Sequence, residues 1–323
     1  MEQPFPKPKD KYPVLYLKDT DIALPQHVIN NKTRYGYFKT IAKGGKCIIR
    51  SCKDFHLSRV VAYKSLRPEL ADDPLEQQRF LREARVTAML QHPNTIPVYE
   101  LSRDTARRYY FTMKLVEGST LREVLNGEVE MEDWHDAPLR RTVDVLIQVC
   151  HALDYAHNHG VVHRDVKPAN ILIGPFGEVL VLDWGLAKVW DMPTEEATPT
   201  GPAPTGEPSL TGQGKLQGTV LYMSPEQVEE SPDLDHRTDI YSLGAVLYEV
   251  LTGEEMIRRG SLHEMMSSVV SGEIEAPSTR APGREIPEAL EEICLRAVAR
   301  QPGDRYGDAS ELLFELQAWS EGF

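Results

Sequence analysis

The sequence predicts an α+β protein in two parts, a small sheet-rich lobe followed by a larger helical one. Three observations carry this. From Tyr35 to about Leu115 the chain is mostly short β-branched and aromatic runs, IIRSC, RVVAYKSL, TIPVYEL and RYYFTMKLV, which suit a sheet. One stretch among them, DPLEQQRFLREARVTAML, has apolar residues Leu75, Phe80, Leu81, Val86, Met89 and Leu90 at roughly helical spacing, with Pro74 suited to a first turn. After Gly118 the pattern turns to long helices, and the boundary falls near Lys114–Gly118.

Residues 1–34, rich in proline and lysine, read as an arm that packs only in part. The folded region then runs over 35–321, with a first lobe at 35–116 and a second at 117–321. The longest helical pattern, PLRRTVDVLIQVCHALDYAHNHG, ends at Gly160 as a capping glycine would. Others follow at HRTDIYSLGAVLYEVLTG, SLHEMMSSVVSG, PEALEEICLRAVA and DASELLFELQAW. Between Trp190 and Lys215 lies a stretch of Pro, Gly, Thr and Ser nearly free of large apolar residues. A segment this long inside a folded lobe reads as a functional or disordered loop.

With 323 residues, 41% of them hydrophobic, the chain can bury a substantial core. Its formal charge of −13 argues against broad nucleic-acid binding, which needs a basic face to neutralise phosphates. The N-terminus has no apolar signal-peptide core, and no segment approaches the roughly 20 apolar residues of a bilayer span. The expectation is a soluble, cytoplasmic chain. Cys47, Cys52, Cys150 and Cys294 form no C-x-x-C pair and read as free thiols.

The stretch VVHRDVKPANILI, Val161–Ile173, sets a histidine, an arginine, an aspartate, a lysine and an asparagine between two apolar runs. Such a polar loop between a helix and a strand is where chemistry tends to sit. Further polar motifs stand in order around it: VVAYK, FLREAR, LDWGLAK, GTVLYMSPEQ, TDIYSLG and QPGDRY. In this order they resemble the protein kinases, closest to the bacterial Ser/Thr kinases of eukaryotic type, over about Tyr35–Trp319. The resemblance implies a bilobed kinase fold, with an antiparallel sheet and one regulatory helix in the first lobe. It also implies transfer of the γ-phosphoryl of Mg-ATP, with Mn²⁺ as an alternative ion, to serine or threonine of protein substrates.

The resemblance also assigns roles. Lys64 is similar to the strand lysine that holds the α and β phosphates, and Glu83 to the helix glutamate that pairs with it. Asp165 corresponds to the catalytic aspartate, and Lys167 to the lysine on the γ-phosphate. Asn170 and Asp183 correspond to the metal ligands, oxygen donors suited to a hard ion. Adenine would lie against Ala62, Ile49 and Leu172, with hinge bonds from the backbone of Lys114 and Val116, Met113 as gatekeeper and Glu117 near the ribose. Thr219 resembles the threonine that bridges Asp165 and Lys167, Asp239 the aspartate that holds the catalytic loop, and Glu226 with Arg305 a buried pair. The activation segment spans 183–226. Arg164 beside Asp165 implies a contact to an activation-loop phosphate, with Thr194, Thr198, Thr200, Thr205, Ser209 and Thr211 as candidates for autophosphorylation, which a homodimer would serve.

The phosphate-covering loop departs from the family pattern. IAKGGKCII places Ala42 and Cys47 where the outer glycines belong and leaves Gly44 and Gly45 in the middle. Two readings follow: an active kinase, because the five polar groups Lys64, Glu83, Asp165, Asn170 and Asp183 are present, or a pseudokinase that binds ATP as a regulatory scaffold. All five groups being present favours the enzyme.

Overall fold

The computed structural model describes residues 34–129, 138–189 and 218–322. Contacts divide the chain into two compact units: residues up to Asp72 with Glu100–Leu115, and Asp73–Tyr99 with everything from Val116 on.

The first unit is built on a five-stranded sheet of β1 (Tyr35–Lys43), β2 (Cys47–Asp54), β3 (Arg59–Leu66), β4 (Val98–Arg103) and β5 (Tyr109–Lys114), in the order β1-β2-β3-β5-β4. β4 begins later than the run TIPVYEL suggests, because Pro97 has no N–H to give to a ladder. Register separates the two faces. Ala42 pairs with Ile49, Ile49 with Lys64 and Lys64 with Phe111, so these four side chains share one face. Ala62 and its partner Met113, two residues along each strand, lie on the same face. The opposite face carries a small core of Cys52, Val61, Tyr63 and Tyr110, with Tyr35 against it. The Tyr63 and Tyr110 rings stack at 4.4 Å. Arg34 closes that side by pairing with the buried Asp54 at 3.1 Å and with Glu100 at 3.0 Å.

The second unit opens with α1 (Pro74–Met89), whose start is set by Pro74 and by Asp73, which accepts from the N–H groups of Leu75 and Glu76. Phe80, Glu83, Ala84, Val86 and Thr87 are buried. Leu75 and Met89, expected on the apolar stripe, are exposed. At 3.6 residues per turn they stand roughly 140° and 180° from Phe80, off the face that packs. Val86 and the following Leu90 belong to the main core of this unit.

The helices that follow include α2 (Leu121–Leu125), α3 (Pro138–Asn158), α4 (Pro225–Val228), α5 (Arg237–Thr252), α6 (Leu262–Ser271), α7 (Pro277–Arg280), α8 (Glu288–Ala297) and α9 (Ala309–Glu321). α3 buries Val143, Leu146, Val149, Cys150 and Leu153, a stripe at spacings of three and four. It packs on α5 and α9. α5 is buried from Thr238 through Thr252, as a helix with no polar face must be, and Gly253 ends it in the left-handed conformation at φ 75°. Short strands hold the polar loops. β6 (Ser119–Thr120), β8 (Ile171–Ile173) and β9 (Val179–Val181) form one sheet, and β7 (Val161–Val162) pairs with β10 (Lys188–Val189). Residues 163–170 therefore run between β7 and β8, and residues 182–187 between β9 and β10.

α5 and α8 meet closely at Gly244, where an added Cβ would stand 2.7 Å from Ala297 Cβ and 2.8 Å from Val298 Cγ1. Neither neighbour is a flexible chain end, so Gly244→Ala is expected to destabilise by about 1–3 kcal/mol through overpacking. Urea unfolding checks this; an unchanged midpoint would show that the helices separate freely.

Candidate active site

The loop His163–Asn170 is wired to itself and to the segment that carries Thr219. The Lys167 ammonium donates to both oxygens of Asp165, at 2.7 and 2.8 Å, and to Thr219 Oγ1 at 3.0 Å. Asn170 Nδ2 donates to the Asp165 backbone oxygen at 2.8 Å and to its Oδ2 at 3.0 Å. Asp165 is 9% exposed. A carboxylate so nearly enclosed costs desolvation energy unless charged and polar donors surround it, and these are the donors.

The backbone beneath is fixed by side chains. The Asp165 N–H donates to His163 Nδ1 at 3.1 Å, so the other ring nitrogen carries the proton and donates to the Leu182 carbonyl at 3.0 Å. The His163 ring packs edge-on to Trp184 at 4.5 Å. Leu182 in turn donates its N–H to the Asn170 carbonyl at 2.8 Å. The two polar loops are thereby joined just before Asp183. Asp183 is exposed and sits at φ 62°, an unusual conformation for a residue with a side chain. Its Oδ1 and the Oε2 of the buried Glu83 both approach the Cα side of Gly185, at 3.1 and 3.6 Å from where a Cβ would stand.

A fully buried carboxylate, Asp239 at the start of α5, accepts from the backbone N–H groups of His163 and Arg164, both at 2.8 Å. Burial pushes this carboxyl up, and the His157 hydrogen bond and nearby donors more than reverse that, holding it below the usual aspartate range. The end of the segment after Thr219 is fastened by Glu226, which receives Arg305 Nη1 and Nη2 at 2.7 and 2.8 Å. The remaining Arg305 donors reach the carbonyls of Ala299, Arg237 and Arg300.

The chain that carries these features matches the protein kinase domain family over residues 35–315. The chain belongs to the protein kinase family. Relatives named serine/threonine-protein kinase PknD are similar to it: 39% identical over 298 residues in Protochlamydia amoebophila, covering 89% of this chain and 30% of that protein. The corresponding proteins of Chlamydia muridarum and Chlamydia trachomatis serovar D are 36% identical over 307 residues and 35% over 305. Each alignment covers 90% of this chain and 32% of the relative. The chain thus spans about a third of the length of these relatives. The family uses ATP and a divalent cation.

In this kinase domain, Asp165, Lys167, Asn170 and Thr219 come together as one hydrogen-bonded group, and Glu83 lies by Asp183 through Gly185. Lys64, Ala42, Ile49, Ala62 and Met113 share a face of the first unit's sheet. Lys64 Nζ stands over the Phe111 ring at 5.8 Å. Lys114 ends β5, while Val116 and Glu117 lie in the second unit. Leu172 is half-buried on β8, between the buried Ile171 and Ile173. Gly44 and Gly45 form the exposed tip between β1 and β2, closed by the Gly44 N–H donating to Cys47 O at 2.9 Å. Neither glycine has a positive φ, and a Cβ on either would meet nothing closer than 3.5 Å. The hairpin itself therefore does not require them.

The candidate activation-loop hydroxyls Thr194, Thr198, Thr200, Thr205, Ser209 and Thr211 lie outside the described residues. Two residues with clear positions escaped the sequence reading. Gln227 donates Nε2 to the Arg164 carbonyl at 2.9 Å, and its place directly after the SPE motif was the available signal. His157 bonds Asp239, and only the fold shows that pairing.

Burial pushes Glu226 up, but the Arg305 hydrogen bonds and charge hold it below the ordinary glutamate range. The folded value lies below the unfolded one of about 4.3. The pair's stabilisation is therefore present at neutral pH and is lost as pH falls below the unfolded value and through the folded one. Arg305→Met is expected to destabilise by about 3–5 kcal/mol at pH 7 by stranding a buried charge. Glu226→Gln should flatten the acid limb of a stability profile measured by urea unfolding. Wild-type stability in Arg305→Met would contradict the lock.

Proposed function

We propose that this chain is a Ser/Thr protein kinase domain of the cytoplasm, with an arm at 1–34 and a catalytic domain at 35–321 divided into lobes at 116/117. It would transfer the γ-phosphoryl of ATP to hydroxyls of protein substrates. The observation that carries the reading is the triangle of Asp165, Lys167 and Thr219. It sets a carboxylate able to orient and deprotonate a hydroxyl beside an ammonium able to neutralise a transferring phosphoryl group.

The metal ligands follow from donor chemistry. Asn170 spends its amide nitrogen on Asp165, which leaves the amide oxygen for a cation, and Asp183 offers an exposed carboxylate. Among the described residues no cluster of three or more His, Cys, Asp or Glu could hold a metal ion by itself. Two oxygen donors completed by phosphate oxygens suit Mg²⁺, which seldom takes an all-protein cage. When bound, the ion would spread the negative charge of the phosphates. Lys64 would pair with Glu83 and hold the α and β phosphates. Ala42, Gly44, Gly45, Ile49, Ala62, Met113, Leu172 and Glu117, with the backbone of Lys114 and Val116, would bind the nucleotide. Asp165 would take the hydroxyl proton as the acceptor oxygen attacks phosphorus and the bond to the ADP oxygen breaks.

Arg164 supports regulation by phosphorylation, because its Nε is buried and meets no partner among the described residues. A phosphate on the 183–226 segment would satisfy it. After incubation with Mg-ATP, phosphopeptide mass spectrometry should find one or more of the six loop hydroxyls modified in the parent and none in Asp165→Asn. The same pair, given labelled Mg-ATP and a generic protein acceptor, tests the activity. Transfer by the parent and a loss of about a thousandfold or more in the variant is expected for removal of a general base and the group that orients the nucleophile. Equal transfer by both would remove Asp165 from the mechanism; binding of ATP by both without transfer would favour a pseudokinase.

A further inference from the structure

The first unit carries a charge opposite in sign to that of the whole chain. Its described residues, 34–72 and 100–115, hold 13 Lys and Arg against five Asp and Glu, a net +8, in a chain of net −13. Four of the five acids lie within 3.4 Å of an arginine: Asp54 and Glu100 with Arg34, Glu69 with Arg67, and Asp104 with Arg108. The stretch from Tyr35 to Lys53 has five Lys and Arg and no acid. Charges farther away than the Debye length, about 8 Å at physiological ionic strength, are screened, so an approaching surface meets this local excess and not the net charge of the chain.

An apolar cluster stands at one end of this unit's sheet. Tyr37 is 84% exposed, Leu57 58% and Val60 53%. The Tyr37 ring meets Phe55 edge-on at 5.7 Å, and Leu57 lies with Phe55 in the turn between β2 and β3. Val60 and Gly36 both pair with Lys53, and Lys39 pairs with Ser51, so Lys39, Lys53 and Val60 share one face. Lys53 Nζ reaches back over the turn to the Ser58 carbonyl at 2.8 Å. Backbone strain goes into this arrangement. Tyr37 at φ 55° and Ser58 at φ 50° are both left-handed, and the register of β1 slips between Gly36 and Lys39. That strain serves no burial, since the Tyr37 side chain ends in water. We infer that this hairpin end, with Lys39, Lys53 and Arg59 around it, docks on an anionic lipid surface such as a cytoplasmic leaflet: the apolar tip enters the headgroup layer and the cations stay with the lipid phosphates. A protruding turn with apolar side chains at its tip fits a fluid headgroup layer without a preformed pocket, whereas a folded acidic protein would need a matching cavity. The Gly44–Gly45 tip lies at the other end of β2, whose eight residues span about 26 Å, so docking leaves the phosphate-covering loop free.

Docking of this kind does not depend on phosphoryl transfer, so the test reads binding alone. The full chain is sedimented with vesicles of phosphatidylcholine and with vesicles that also contain about 30 mol% phosphatidylserine, an anionic surface. Binding should be at least about tenfold tighter to the anionic vesicles and should weaken in about 0.5 M salt, where the Debye length shrinks to roughly 4 Å. Lys39→Ala with Lys53→Ala should weaken it about twenty-fivefold, at roughly fivefold per cation. Tyr37→Ser with Leu57→Ser should cost about tenfold or more through lost apolar insertion. The thermal midpoint of each variant should stay near the parent's; if loss of Lys53 lowers it, Lys39→Ala alone, at an exposed site, should still cost about fivefold. Equal binding to the two vesicle types, binding to neither, or variants that bind like the parent would overturn the inference. So would binding to soluble polyglutamate in place of vesicles, the result expected of an acidic protein partner, or self-association lost in the same variants without vesicle binding, the result expected of a second copy.

Discussion

The site depends on a buried charge, the Asp239 carboxylate, set at the start of a helix that is buried on every side. An uncompensated carboxylate in that position would be prohibitively costly, so the chain must supply donors, and it supplies the backbone N–H groups of His163 and Arg164 together with His157. The cost of burial becomes a constraint on geometry. Only a narrow set of loop conformations satisfies the carboxylate, and the observed one bends Arg164 into a left-handed turn and leaves Asp165 facing Lys167 and Asn170.

A second buried charge repeats the device at the other end of the site. Glu226 is closed by Arg305, whose five donors are all engaged, and it stands seven residues after Thr219, which receives the Lys167 ammonium. Nearby, Ser224 Oγ and Thr238 Oγ1 lie 2.5 Å apart, one residue from Asp239. The carboxylate that grips the loop and the segment that carries Thr219 therefore share the first turn of α5. Arg122 reaches the same segment from α2 by pairing with Glu249 and the Tyr222 hydroxyl. Polar side chains placed along one apolar helix thus fix three separate stretches of backbone, which gives the reacting groups a rigid frame.

Much of this was legible in the sequence because the proposed catalytic groups are close along the chain. Asp165, Lys167 and Asn170 fall within one short loop, and their spacing survives folding almost unchanged. The helices were legible from apolar periodicity and from the glycines that end them, Gly160 and Gly253. Less legible were features that depend on partners distant in sequence. Nothing local marks His157 as the partner of Asp239, 82 positions away, or Gln227 as the partner of the Arg164 carbonyl, 63 positions away. Periodicity also overstated α1, where Leu75 and Met89 fit an apolar pattern but face away from the packed side. The altered glycine loop drew notice in the sequence for its missing glycines. In the structure neither Gly44 nor Gly45 has a positive φ, so the tip they form does not itself demand glycine.

The central claim is that a buried carboxylate on a scaffold helix holds the transfer site in working order. Its most direct test is the single-turnover rate of phosphoryl transfer from Mg-ATP in an Asp239→Asn variant, with cooperative unfolding followed in parallel. This neutral side chain keeps the shape of aspartate but turns an N–H toward donors that need an acceptor. The account predicts a protein that still unfolds cooperatively and transfers phosphate at least about a hundredfold more slowly, as misplacing a reacting group by an ångström can do. A variant that transferred at the parent's rate would show that the loop holds its own geometry, and would contradict the account.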